Sequence, residues 1–190
     1  MIRIEDIMSD GLFAEFRDCA AAVDQLEMDR FLKANWFLET SRNMTRFGFK
    51  SRNSLEENCE TDAHPDVDKP LQKKIYMALW SFYKETKPMW KMTGAQLLDK
   101  KVNVQNFRCE FQMVDTGAEF KKHRHPYSQL NGTVYVYPEQ SVGTVFHEPA
   151  HKIAPWVTNS AVAFRQELHS FHNDSADHRR FTINTFIETE

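Results

Sequence analysis

The sequence predicts an α+β domain in which N-terminal helices pack on a jelly-roll core of short antiparallel strands. Three observations predict it. Apolar residues recur at helical intervals before residue 100, the alternation becomes two-residue after it, and the later strands are short and separated by turn chemistry. A length of 190 residues, with 41% hydrophobic and 13% aromatic, suits one domain over residues 1–190 with one sizeable core. Residues 1–100 read as mainly helical support plus an irregular segment, and residues 101–190 as the barrel core that carries the chemistry.

In the stretch "LFAEFRDCAAAVDQLEMDRFLKANWFLE", Leu12, Phe16, Ala20, Val23, Leu26 and Phe31 fall at helical spacing. "KPLQKKIYMALWSFYKE" does the same with Leu71, Ile75, Leu79 and Phe82, and Pro70 sits where a first-turn proline belongs. Between them "ETSRNMTRFGFKSRNSLEENCETDAHPDVD" is polar, lacks periodicity and is broken by Pro65. It reads as a long irregular connection with a strand around Met44 to Phe49, and loops of that length are often functional. "VQNFRCEFQMVD" then puts Phe107, Cys109, Phe111 and Met113 on one face and Arg108, Glu110 and Gln112 on the other, which predicts a strand with one wet face. "GTVYVYP", "VGTVFHE", "SAVAFRQEL" and "RRFTINTFIE" follow as further strands.

Composition excludes several classes of function. A net charge of −3, with Lys and Arg scattered among Asp and Glu, gives no electrostatic footprint for nucleic acid. Cys19, Cys59 and Cys109 are odd in number and lack CxxC spacing, so they predict neither a disulfide framework nor a zinc knuckle, and a reducing compartment follows. The acidic start "MIRIEDIMSDGLF" is unlike a signal peptide, and no window approaches a membrane span. The expectation is a soluble cytoplasmic protein whose partner is a small molecule or peptide.

The chemistry concentrates in "GAEFKKHRHPYSQLNGTVYVYP". On a strand, residues two apart point the same way, so His123 and His125 project together, and two imidazoles make half a metal site. Neutral imidazole suits iron, copper, zinc or nickel, and a non-heme iron site needs three protein ligands with open positions beside them. "FRQELHSFHN" supplies the third ligand, with His169 favoured and His172 in reserve. Any one of the 8 histidines taken alone is more often a surface or core residue; the HxH pair with a later third histidine favours a metal. In "RRFTINTFI", Arg180, Thr182 and Asn184 alternate against Phe181, Ile183 and Ile187. A buried arginine with a hydroxyl two residues on forms a carboxylate receptor, the guanidinium fork taking both oxygens. The bland alternative is an arginine paired with a core acid such as Glu110.

Together His123-x-His125-Pro126, "QLNGTVYVYP", "GTVF", the "LHSF" around His169 and "RRFTINTFI" resemble, in order and spacing, the iron(II)- and 2-oxoglutarate-dependent oxygenases. The resemblance is to the branch whose proximal motif is HxH, and it covers about residues 105 to 188. Gly117 before the first histidine, and Gly132 with Tyr135 on the next strand, match as well. The resemblance implies a double-stranded β-helix core and Fe(II) held by His123, His125 and His169. It further implies 2-oxoglutarate as co-substrate, its far carboxylate on Arg180, with Thr182 and Tyr135 adding hydrogen bonds. Most of that superfamily has a carboxylate at the position of His125. His125 is then a ligand in its place, or a neighbour of the metal with water in the vacancy, or the mark of a protein that binds iron weakly and does something else.

Gly117 and His123-x-His125 also match the start of the cupin signature, which implies a three-histidine dioxygenase working without 2-oxoglutarate. Gln129 stands where that signature has an acid, and "FRQEL" replaces its Pro-x-Gly, so the cupin reading comes second. A non-catalytic jelly roll with a structural zinc is the third reading, although a closed zinc site has four ligands. "MWKM", with Trp80 and Trp90, reads as core, "HKIAPW" with His151 as a hairpin connection, "DAHPDVD" as a solvated turn, and Lys121 and Lys122 as a solvated edge.

Overall fold

The computed structural model describes residues 1–26, 44–51, 67–102 and 104–189. In chain order these form β1 (Ile2–Ile4), α1 (Asp10–Asp24), β2 (Met44–Ser51), α2 (Lys69–Leu98), β3 (Val104–Val114), β4 (Glu119–His123), β5 (Leu130–Tyr137), β6 (Thr144–Phe146), β7 (Lys152–Ala154), β8 (Ala161–Phe164), β9 (His169–His172) and β10 (Arg180–Thr189). The helical reading from Glu27 through Phe31 to Glu39, together with Cys59 and most of "DAHPDVD", lies outside the described residues.

The helices begin and end where local chemistry dictates. Asp68 caps α2 by accepting the Leu71 amide at 2.7 Å, Pro70 occupies the first turn, and Asp99 ends the helix in the left-handed conformation. The helix extends well beyond the "KPLQKKIYMALWSFYKE" periodicity and passes through Pro88. Proline in a helix interior removes one hydrogen bond. Here the turns on either side are pinned by burial of Thr86, Trp90, Thr93 and Gly94. Trp90 is fully buried and donates Nε1 to Thr86 Oγ1 at 3.1 Å, so the core reading of "MWKM" holds for it, while Met92 faces solvent. Gly132 on β5 lies directly beneath that indole. A Cβ there would stand 2.2 Å from the ring, which is why the strand carries glycine at this point.

Two antiparallel sheets result, a large one ordered β1-β8-β5-β10-β3-β2 and a small one ordered β4-β9-β6-β7. β10 lies inside the large sheet, with Phe181, Ile183 and Ile187 on the face that meets α1 and α2. Phe16, Phe82 and Phe111 join them in a core that draws on both halves of the chain. The change of texture at residue 100 is therefore no division within the sheet: β1 and β2, from the helical half, form both of its edges. β2 fulfils the strand expected at Met44 to Phe49, whereas β1 has no counterpart in the sequence reading.

The opposite face of the large sheet meets the small sheet through Tyr135, Phe146, Ala154, Val162 and Phe164. This corrects the wet face expected for β3, because Glu110 and Gln112 are 5% and 3% exposed. Alternation placed them correctly together, but they line a cavity between the two sheets. Cys19 and Cys109 are buried free thiols. No helix among the described residues is long and apolar enough to cross a membrane.

Candidate metal centre

His123, His125 and His169 converge on one point between the sheets. β4 ends at His123, which pairs in register with His169 at the start of β9, and His125 stands two residues past the end of β4. Ring centroids are 4.3 Å apart for His123 and His169, 4.9 Å for His123 and His125, and 5.0 Å for His125 and His169. Their ligating nitrogens all lie within 4.8 Å of one another, the only such cluster of three or more His, Cys, Asp or Glu among the described residues. Strand alternation separates His169 from His172. His169 and Phe171 point inward, while His172 faces solvent near Asp174. Arg124, between the two proximal histidines, turns outward to Glu148 and the Gln166 carbonyl.

Two of the three rings are oriented by their own backbone. Nδ1 of His123 lies 2.8 Å from the Lys121 carbonyl, and Nδ1 of His169 lies 2.9 Å from the Glu167 carbonyl. A carbonyl only accepts, so Nδ1 carries the proton in both rings and the Nε2 lone pair is left for a metal. His125 has no such carbonyl among the described residues, and its ring rests edge-on against Phe186 at 4.8 Å. Burial is the main reason all three resist protonation. It pushes His125 and His169 down to about 3, with the neighbouring histidines adding to the effect, and it lowers His123. Neutral rings with open lone pairs are the form that coordinates a divalent metal.

Beyond Phe171, on the same inner side, lies Arg180. It is wholly buried, and its guanidinium sits 4.2 Å from the centroid of Phe171 and 4.9 Å from that of Trp156. Neither Nε nor either Nη has a hydrogen-bond partner among the described residues, and the same holds for the buried Thr182 hydroxyl. Burial lowers Arg180 to about 10, which still leaves it charged at neutral pH. Glu110, the acid weighed as its partner, pairs with Arg108 instead. Tyr135 is close by, but its hydroxyl donates to Thr144 Oγ1 at 3.1 Å and accepts the Thr144 amide at 3.2 Å, while its ring supports Trp156 at 4.8 Å. Tyr135 thus holds the wall in place.

A cavity of about 380 Å³ opens beside the triad. Phe120, Phe164, Phe171 and Phe186 make it dry around the histidines, and Gln112, Asn131, Thr133 and Asn184 line a polar wall on the large sheet. Registers explain the wall. Asn184 pairs with Glu110 on one side and with Thr133 on the other, so the inward residues of β3, β10 and β5 stand in rows. Sequence reasoning missed Trp156 and Phe171. Phe171 was recoverable, since it follows His169 by two on a strand; Trp156 comes from beyond the β6–β7 hairpin, and nothing in "HKIAPW" marks it. The reading of "HKIAPW" as a hairpin connection is corrected, because Lys152–Ala154 pair with Thr144–Phe146 as the second strand of the hairpin; Lys121 and Lys122 are exposed.

Three neutral imidazoles with ligating nitrogens in reach of one point fit a divalent metal that keeps open positions. An unmatched buried guanidinium with an unmatched hydroxyl fits a carboxylate.

No protein-family model matches the chain, and no curated protein matches its sequence. Solved structures do match its fold. A rice dioxygenase for auxin oxidation superposes with a TM-score of 0.67 at 13% identity, over 98% of this chain and 72% of that one. A Neurospora crassa protein solved with alpha-KG and 5-formyluracil gives 0.63 at 11%, over 100% and 74%. A Burkholderia pseudomallei oxidoreductase of the 2OG-Fe(II) oxygenase family gives 0.58 at 8%, over 98% and 83%. The chain has the fold of 2OG-Fe(II) oxygenases, and its histidine cluster fits an HxH motif completed by a distant third histidine.

Proposed function

We propose that the chain is a single-domain Fe(II)- and 2-oxoglutarate-dependent dioxygenase with a double-stranded β-helix (jelly-roll) core, hydroxylating a peptide side chain or small metabolite. The observation that carries the reading is Arg180, a fully buried cation with no hydrogen-bond partner among the described residues, stacked on Phe171 two residues along β9 from the triad's His169. A buried charge persists only where something compensates it, and a carboxylate ligand does so. The three-histidine cupin reading leaves Arg180 and Thr182 unexplained.

His123, His125 and His169 would hold the metal, and Arg180 with Thr182 would hold the far carboxylate of 2-oxoglutarate. Bound iron supplies the activation of oxygen, coupled to oxidation of 2-oxoglutarate to succinate. The remaining work belongs to the chain. The Lys121 and Glu167 carbonyls fix which nitrogen of His123 and His169 faces the metal. Trp156 and Phe171 confine the guanidinium between two rings, so that its fork is oriented before the co-substrate arrives. Tyr135 holds Trp156 there. Phe164, Phe171 and Phe186 exclude water from the reacting space, which strengthens each polar contact made inside it.

Anaerobic titration of the Fe(II)-loaded protein with 2-oxoglutarate tests the reading through the weak visible charge-transfer band of the chelate. The band is expected in the wild type and lost in Arg180→Ala. Iron binding with no band in the wild type would move three-histidine cupin chemistry ahead.

A further inference from the structure

Beside the reaction pocket lies a second, larger groove of about 830 Å³. It runs between the end of α2, the loop after β6 and the turn after β8, and Arg124 lines both spaces. We infer that the substrate is a polypeptide segment lying in this groove, with an acidic side chain flanking the residue that enters the pocket; the inference rests on the oxygenase reading above.

Size is the first argument. A small metabolite needs only the inner cavity, whereas a longer chain finds room in the groove that shares Arg124 with it. The lining supplies the second. Among the described residues it contains no aromatic side chain on which sugar rings or bases would stack. Polypeptide is the polymer that remains.

Unmatched groups in the groove set what the peptide should carry. Arg124 is paired with Glu148, and Glu167 Oε1 lies 3.8 Å from the amino group of Met1. Arg165, exposed in the same groove, has no acidic partner among the described residues, and an Asp or Glu side chain would supply one.

The test is fluorescence polarisation of the full chain with two labelled random-peptide libraries, identical except for Glu or Lys at the fixed positions, at low ionic strength. The Glu library is expected to bind about threefold tighter, the scale of one exposed ion pair. Arg165→Glu should reverse the preference and Arg165→Gln should erase it, with melting temperatures unchanged because the side chain is exposed. Equal affinity for the two libraries, or a preference that survives Arg165→Glu, overturns the inference. Absence of peptide binding overturns it too, and if 2-oxoglutarate still binds, the oxygenase reading stands with a small-molecule substrate. Because the assay needs no metal, failure of the oxygenase reading does not alter its result.

Discussion

The two faces of β10 make opposite bargains with burial. On the helix side Phe181, Ile183 and Ile187 pack into the main core, and the Thr185 hydroxyl is the one polar side-chain atom there with no partner among the described residues. On the other side Arg180 and Thr182 are buried as deeply but leave their polar atoms unmatched. One strand therefore carries a stabilising face and a face held in a state suited to a ligand. Neighbouring residues of one strand differ because the helices close one side, while the small sheet leaves a cavity on the other.

The largest effect should come from breaking the satisfied face. Phe181→Ala removes a fully buried ring stacked on Phe111 at 5.5 Å, and should lower unfolding stability by about 3–5 kcal/mol in chemical denaturation. Arg180→Met should do the reverse for the ligand-free protein. Removing an uncompensated buried charge while keeping its volume is expected to raise stability by on the order of 2–4 kcal/mol, even as 2-oxoglutarate binding is lost. If that variant instead melts earlier than the wild type, Arg180 is a structural member of the core and the two faces are alike.

Acid should sharpen the contrast in the metal-free protein. His125 and His169 are held down to about 3 when folded, against about 6.5 in the unfolded chain. Above the unfolded value neither state takes up a proton and the histidines leave stability untouched. As pH falls from there toward 3, only the unfolded chain gains protons, so stability is lost by about 1.4 kcal/mol per pH unit per histidine. His169→Asn should flatten the profile in denaturation curves taken across that window, and an unchanged slope would show that His169 titrates normally.

The smallest expected difference lies within the triad. His123 and His169 are oriented by backbone carbonyls and His125 is not. Replacing either oriented ligand by Ala should weaken Co(II) binding at least about tenfold more than His125→Ala does, the scale attached to partners that orient a ligand. Equal losses at all three positions would mean that the carbonyls contribute nothing to the site.

Much of this was legible in the sequence, and what was not has identifiable causes. The alternation in "VQNFRCEFQMVD" correctly separates Phe107, Cys109, Phe111 and Met113 from Arg108, Glu110 and Gln112. Period-two patterning shows which residues share a face but not what covers it, so a pocket wall read as a wet surface. α2 outran its reading because the proline at 88 signals a stop that tertiary packing overrides, and β1 is too short to show a pattern. The histidines stood out through HxH spacing and a strand-borne partner, and Arg180 through its position opposite an apolar set. Trp156 did not, because only the folding of a separate hairpin brings it to the guanidinium.

The central claim is that Arg180 is kept buried and unpaired for a dicarboxylate. Isothermal titration of the Zn(II)-loaded protein with 2-oxoglutarate, and with the monocarboxylate 2-oxobutyrate, which retains the keto-acid end, tests it most directly. In the wild type 2-oxoglutarate should bind about tenfold or more tighter, the scale of a charge-assisted pair at a buried site, and in Arg180→Met the two should bind alike. Equal affinity for both ligands in the wild type, or a preference for 2-oxoglutarate that persists in Arg180→Met, would contradict the account.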